Sequence, residues 1–220
     1  MPSNAKNNFA EQKTDIDQLW AIHEEVAGQG VGRKHGVDVL NRAAIVFITA
    51  CWESFVEDVC LEAFDFMLAN ATDMDSIPPK VRTLASKELR EDNDERRVWE
   101  LAGTGWKTVL QNHRDAVKEK WINSLNTPKT DQVNNLFSQM LGLVNLSSAW
   151  AWQHMNDEQA GDKLDQYVTI RGNIAHRTQH DDTVYKNWSE DYLGHVERMV
   201  EKTDDRVRSH VTDLVGTPPW

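Results

Sequence analysis

The chain has 220 residues, 40% of them hydrophobic and 27% charged, with a formal net charge of −11 and a pI near 5.1. This is a globular composition, long enough to bury a substantial core, and it excludes a disordered chain. The acidic balance excludes non-specific coating of nucleic acid or anionic membranes; only a local basic site gripping a few phosphates is compatible with it.

The helical pattern starts at residues 7–27, where Phe9, Ile16, Leu19, Trp20, Ile22, His23 and Val26 form an approximate stripe. The glycine-rich GQGVGRKHG follows as a loop carrying Arg33, Lys34 and His35. From about Val37 to Ala69 runs the longest apolar stretch, expected to be a central helix covered on most sides. DMDSIPP breaks it, and Pro78 and Pro79 suit the first turn of a helix reaching about Arg90. REDNDERR reads as a solvated turn or helix end. Residues 95–124 are again helical in pattern, with a kink expected at Gly103 and Gly105. After Pro128 comes a helix carrying Val133, Leu136, Phe137 and Met140 and stopping near Gly142.

Asn145 to Ala149 reads as a cap and a short helix, ahead of a long helix from Asp157 to about Ala175. Thr178 to Asp182 is polar and loop-like; Trp188 to Val215 forms the closing helix. The pattern predicts an all-α bundle with a long central helix and additional helices. Residues 1–220 form one domain in this reading, with 1–36 an N-terminal helix and loop and 216–220 a frayed tail. Cys51 and Cys60, nine residues apart in one helical run, would lie about 13 Å apart, too far for a disulfide. Two buried free thiols suit a reducing compartment. The opening MPSNAKNNFAEQK has no apolar signal core, and no run approaches the roughly 18 apolar residues of a membrane span. A cytoplasmic protein without membrane association is expected.

The informative stretch is KLDQYVTIRGNIAHRTQHDD. Leu164, Tyr167, Val168, Arg171, Ile174 and Ala175 follow helical spacing, which puts Arg171 inside an apolar stripe. A guanidinium keeps its charge, so it must face a cleft or meet a carboxylate. Glu53, among Val46, Ala50, Val56 and Cys60 of the central helix, offers that carboxylate, directly or through one water. A structural ion pair holding two helices in register would explain the same residues. His176 lies five positions after Arg171, about 140° round the helix. Arg177 and His180 follow. An imidazole transfers protons near neutrality, and a neighbouring guanidinium holds a phosphate at two points, which is what metal-free RNA cleavage needs.

Three segments carry a family resemblance: AAIVFITACWESFVEDV; TPKTDQVNNLFSQMLGLVNLSSAWAW leading into DKLDQYVTIRGNIAHR; and LGHVERMVEKTDDRV. Arg171-Gly172-Asn173-Ile174-Ala175-His176 resembles the Arg-x4–6-His motif of the HEPN superfamily. The ordered combination, covering most of the chain from Val37 onward, is similar to the RiboL-PSP-HEPN branch. The resemblance implies a helical homodimer whose two motifs meet at the interface and form a composite, metal-independent RNA-cleaving cleft using the RNA 2′-hydroxyl. It makes Arg171 and His176 the catalytic pair, with RNA rather than DNA as substrate and no cofactor. Toxin-type or anti-phage roles, with an antitoxin or other protein partner, belong to the same expectation. One departure is that many active members carry a polar residue directly after the arginine, where this chain has Gly172. Asn173 is the candidate replacement. Arg177, His180, Arg33, Lys34 and Arg42 are candidate RNA contacts.

Rival readings exist. A non-catalytic dimer of the same type would bind RNA or a protein partner without cutting, and a helical adaptor would use Arg171 only as an ion pair. His176, His180, Asp181 and Asp182 have the residue types for zinc, but the helix is expected to end near His176 and no third ligand is evident. Of the nine tryptophans, Trp20, Trp52, Trp106 and Trp121 sit at apolar helical positions and read as core. Trp150 and Trp152 cannot both face one core, so one of them belongs to an interface. His113, His154, His195 and His210 read as surface or packing residues.

Overall fold

The structure is a computed structural model describing residues 1–28, 37–122, 127–176 and 184–220, without the side chains of residues 121, 122 and 176. It is all-α: the described residues contain helices and one isolated bridge, Trp152–Met155, but no strand. In chain order the helices are α1 (Asn4–Ala27), α2 (Asp38–Asn70), α3 (Pro79–Ala85), α4 (Lys87–Glu91), α5 (Gly105–Val117), α6 (Thr130–Met140), α7 (Asp157–His176) and α8 (Lys186–Val215). The loop carrying Arg33 and Lys34, and the stretch with Arg177 and His180, lie outside the described residues.

Helix α2 is the axis of the bundle, as its composition predicts. It packs most extensively against α1 and α8, and also touches α5, α6 and α7. Ile45, Ile48, Trp52, Val56, Val59, Cys60, Ala63, Phe64 and Met67 have no accessible surface. Cys51 and Cys60 are free and buried. Burial pushes the Cys51 thiol up to about 11, so it stays protonated and inert. The burial has one interruption. Val39, Phe47 and Ala50 are exposed, and Ala43 and Val46 half-buried, so a strip along the first half of α2 is left open among the described residues.

Trp52 anchors the centre. Its ring meets Trp150 edge-on at 5.9 Å and Phe55 at 5.9 Å, and its Nε1 donates to the Pro128 carbonyl at 3.1 Å. Trp150 Nε1 donates to Thr203 Oγ1 of α8 at 2.9 Å. Trp150 is therefore the core member of the Trp150/Trp152 pair, and Trp152 is half-buried. Trp106 is buried and Trp20 half-buried, its Nε1 donating to Ser189 Oγ; the Trp121 side chain is outside the described residues.

Several boundaries differ from the sequence reading for local reasons. The helix opened by Pro79 splits at Ser86, whose hydroxyl donates to the Arg82 carbonyl and whose ψ of 4° leaves the helical region. Residues 95–124 do not form one kinked helix. Glu95–Leu101 is a 3-10 turn, α5 starts at Gly105, and Lys118–Ile122 closes it as a π turn. A Cβ at Gly105 would stand 2.0 Å from the Glu100 carbonyl oxygen, so the tight approach of the preceding turn to the start of α5 requires glycine there. Gly142, at φ +65°, packs its α-carbon against the Pro78 ring, 2.4 Å from where a Cβ would be.

The expected frayed tail at 216–220 is instead docked. Gly216 caps α8 at φ +78° and turns the chain back, so that Trp220 Nε1 donates to Asp204 Oδ2 at 3.2 Å. The Ser3 amide and hydroxyl donate to the other oxygen of the same carboxylate. Asp204 is 2% exposed. Three donors solvate it in place of water, which is what permits an aspartate at that depth.

Candidate functional site

Helix α7 places the candidate residues. Leu164 and Val168 point into the core, Tyr167 is 9% exposed, and Asp165 accepts from the Thr130 amide at 2.8 Å, tying α7 to the start of α6. That fixes the rotation of α7. Arg171 then falls at the edge of the buried face, half-buried, with Asn173 and Ala175 exposed beyond it. His176 is the last residue of α7.

The Arg171 charge is felt on two neighbouring helices. Burial raises the pKa of the half-buried Glu53 on α2, and the Arg171 guanidinium opposes that rise. On α8, burial likewise raises the Tyr192 hydroxyl, and the Thr49 hydrogen bond and Arg171 act against it. Tyr192 OH lies 3.1 Å from Thr49 Oγ1 and its ring stacks on Tyr167 at 4.1 Å. Glu53, Arg171 and Tyr192 thus form one electrostatic group where α2, α7 and α8 meet. Tyr192 and Thr49 escaped the sequence reading because both sit at ordinary core positions.

Glu53 continues the uncovered strip of α2. Val39, Ala43, Val46, Ala50, Glu53 and Glu57 succeed one another at steps of three and four, one line along the helix. Val56 and Cys60, the neighbours assigned to Glu53 by spacing, are fully buried instead. Glu57 was missed although its i, i+4 relation to Glu53 is visible in WESFVEDV. Burial first, and then the Glu53 and Asp58 charges, push Glu57 up to about 7, with Lys118 opposing. Arg42 lies on the same side of α2 three turns earlier, bonded to Asp38 at 2.6 Å.

Glu57 gives a pH test. Its folded pKa of about 7 is above the 4.5 of an ordinary glutamate. Its contribution to stability is therefore complete below pH 4.5 and is lost as pH rises through about 7. Glu57→Gln should have a higher Tm than the parent protein at pH 8, with the difference shrinking toward pH 5. A difference that stays constant with pH would show that Glu57 titrates normally.

Two clefts follow the seam between α7 and α8. One, of about 560 Å³, is lined by Lys163, Tyr167, Ile170, Trp188 and Asp191 among others. The next, about 610 Å³, shares Lys163 and Asp191 and continues to Trp152, His154, His195 and Arg198. Lys163 bonds Asp191 at 2.7 Å where the clefts meet. Burial works against the Asp191 charge, but the bonds from Lys163 and Tyr167 outweigh it and hold its pKa low.

Among the described residues no three His, Cys, Asp or Glu side chains stand close enough to hold a metal, and no helix is long and apolar enough to cross a membrane. His180, Asp181 and Asp182 lie outside the described residues.

No curated protein and no solved structure matches the chain significantly. A family model does: RiboL-PSP-HEPN matches residues 7–209, from the second turn of α1 to within two turns of the end of α8. The match takes in α2 with Glu53, α7 with its Arg171-to-His176 motif, and the helix of Tyr192. With nearly its whole length matched, the chain belongs to the RiboL-PSP-HEPN family.

Proposed function

We propose that this protein is a metal-independent endoribonuclease whose cleft is completed by a second copy of the chain. The observation that carries the reading is the position of Arg171. Its charge acts on Glu53 and Tyr192, and Glu53 continues the uncovered apolar strip of α2, so a partner helix on the strip would border the motif. Exposed Phe47 and Val39 and the small Ala43 and Ala50 suit close two-fold contact.

In the reaction, His176 takes the proton of an RNA 2′-hydroxyl as that oxygen attacks the adjacent phosphorus. Arg171 stabilises the charge that accumulates on the phosphoryl oxygens. The P–O5′ bond breaks, and a second imidazole, from the other copy, protonates the leaving 5′-oxygen. The products are a 2′,3′-cyclic phosphate and a 5′-hydroxyl. Asn173, exposed within the motif, orients a phosphate or ribose. Unrestricted cleavage of this kind suits a toxin or anti-phage role under control by a protein partner. A cytoplasmic location belongs to the same reading, supported by the two buried free thiols.

The test is cleavage of a fluorescent RNA with and without EDTA, beside a substrate with 2′-deoxy at the scissile nucleotide. Cleavage should survive EDTA and vanish with the 2′-hydroxyl; loss in EDTA would overturn the metal-free mechanism. Phe47→Lys should convert a dimer into a monomer in light scattering and reduce cleavage at least about tenfold, because a charge on a buried apolar contact is strongly opposed. A monomeric parent protein with full activity would remove the composite cleft.

One observation favours the non-catalytic alternative, a dimer that binds RNA or a protein partner. Gly172 lacks the polar side chain usual after the arginine, although a Cβ there would meet nothing within 4 Å. Space does not exclude that side chain. Activity of the parent protein decides between the two readings.

A further inference from the structure

Two hydroxyls lie in the core behind the motif, and the cleavage chemistry uses neither. Thr49 of α2 and Tyr192 of α8 have no accessible surface, and their oxygens stand 3.1 Å apart. The direction of that bond follows from counting protons. A threonine hydroxyl has one, and Thr49 gives it to the Ile45 carbonyl one turn earlier, at 2.9 Å. Tyr192 is therefore the donor to Thr49. Its own oxygen keeps its lone pairs, and the negative end of the hydroxyl dipole is turned away from Thr49.

The tyrosine is held on its other side as well. Its ring stacks on that of Tyr167 of α7, with the planes 14° apart and the centres 4.1 Å apart. Tyr167 is pinned in turn, its hydroxyl 3.0 Å from Asp191 Oδ2 and 3.1 Å from the Trp188 carbonyl. Thr49, Tyr192 and Tyr167 thus form one layer running from α2 through α8 to α7. Four residues further along α2 is Glu53, and four residues further along α7 is Arg171. Residues four apart share a helix face, and a helical side chain leans back over the preceding turn. Arg171 therefore leans toward Tyr167 and the ring stacked on it, and its charge acts on both Tyr192 and Glu53. A phenylalanine and a valine would fill the same space without two hydroxyls to satisfy in a dry interior.

We propose that Tyr192 is a positioning residue for Arg171. Its phenolic oxygen, with the proton committed to Thr49, presents a fixed negative dipole end that draws the guanidinium toward α8, while Glu53 draws it toward α2. The guanidinium is thereby held at the edge of the buried face before RNA arrives, and need not be ordered as charge develops on the phosphate. Tyr192 itself touches no substrate, because it has no accessible surface. The use of Arg171 in cleavage rests on the ribonuclease reading; the orienting of its side chain does not.

Two measurements keep these apart, each made well below the Tm of the variant. The first is the side-chain Nε–H signal of Arg171 in proton–nitrogen spectra, identified by its absence in Arg171→Lys. Tyr192→Phe should move that signal and speed its exchange with solvent. The second is RNA cleavage. Tyr192→Phe should lower kcat by about 10- to 10²-fold, the scale for a small misplacement of a catalytic group, with KM nearly unchanged. Thr49→Val removes the acceptor of the Tyr192 proton and leaves the hydroxyl to turn, so it should lower kcat in the same way. Thr49→Ser keeps the acceptor and should rescue kcat. The double variant Thr49→Val/Tyr192→Phe should be no slower than Tyr192→Phe alone, because both act through one chain of bonds.

Where the parent protein cleaves RNA, parental kcat in Tyr192→Phe would overturn the proposal whatever happens to Tm, since packing alone has then been lost. Thr49→Ser behaving like Thr49→Val would overturn it too. Where the parent does not cleave, the ribonuclease reading falls and the Arg171 signal decides: moved by Tyr192→Phe and by Thr49→Val but not by Thr49→Ser, it upholds the positioning; unmoved, it removes that as well.

Discussion

His176→Ala is expected to lower RNA cleavage by about 10²–10⁴-fold, the usual worth of a general acid or base, while leaving Tm and oligomeric state unchanged. The position explains the contrast. His176 is the last residue of α7, whereas Arg171 sits at the edge of the buried face. Arg171→Ala should also abolish cleavage, but with a loss of stability, because it removes the charge that opposes the rise in the Glu53 pKa. That loss should be at most about 3 kcal/mol, the low end for breaking a buried pair, since Glu53 is only half-buried. Glu53→Gln should then restore part of the stability of Arg171→Ala without restoring activity. A double-mutant cycle in denaturant, run beside the RNA assay, measures both. Strict additivity would show the two residues to be uncoupled, and full activity in His176→Ala would end the ribonuclease reading.

Trp52→Ala should have the largest effect on stability, about 3–5 kcal/mol, in the range for deleting a large buried aromatic. The side chain has no accessible surface. Its loss opens a cavity against Phe55 and Trp150 and leaves the Pro128 carbonyl without its donor. The Pro128 carbonyl stands two residues before α6, so α6 and with it the Thr130–Asp165 link to α7 should loosen. Denaturant unfolding measures the loss; a change below about 1 kcal/mol would mean that the three rings do not form the structural centre.

The elements that the hydrophobic pattern predicts well are those whose apolar residues form a continuous buried surface. Helix α2 was legible because its apolar residues run all round it, and α7 because Leu164, Tyr167 and Val168 share a face with Arg171. Periodicity could not anticipate contacts made through single polar atoms. The need for glycine at position 105 comes from the approach of the Glu100 carbonyl, and Trp220 is tied to the buried Asp204 through its indole N–H. The same applies to the site. Arg171 stood out as a charge on an apolar stripe, and Glu53 as a carboxylate on the central helix. Tyr192 did not, because a tyrosine in a core stripe is unremarkable until its hydroxyl is located. Periodicity reads His195 as surface or packing, and the structure makes it packing: it is 3% exposed and its Nε2 bonds the Ala160 carbonyl.

The central position of α2 also has a consequence in time. A chain made from its N-terminus completes α2 at Asn70, yet α8, which covers much of it, ends at Val215. At about 5–20 residues per second the interval is on the order of ten seconds. Helix α1 is available at once as a partner, but the faces destined for α7 and α8 wait. The most apolar segment of the protein is thus the one exposed longest during synthesis, and the Asp204 contact that joins Ser3 to Trp220 can close only after the last helix has been made.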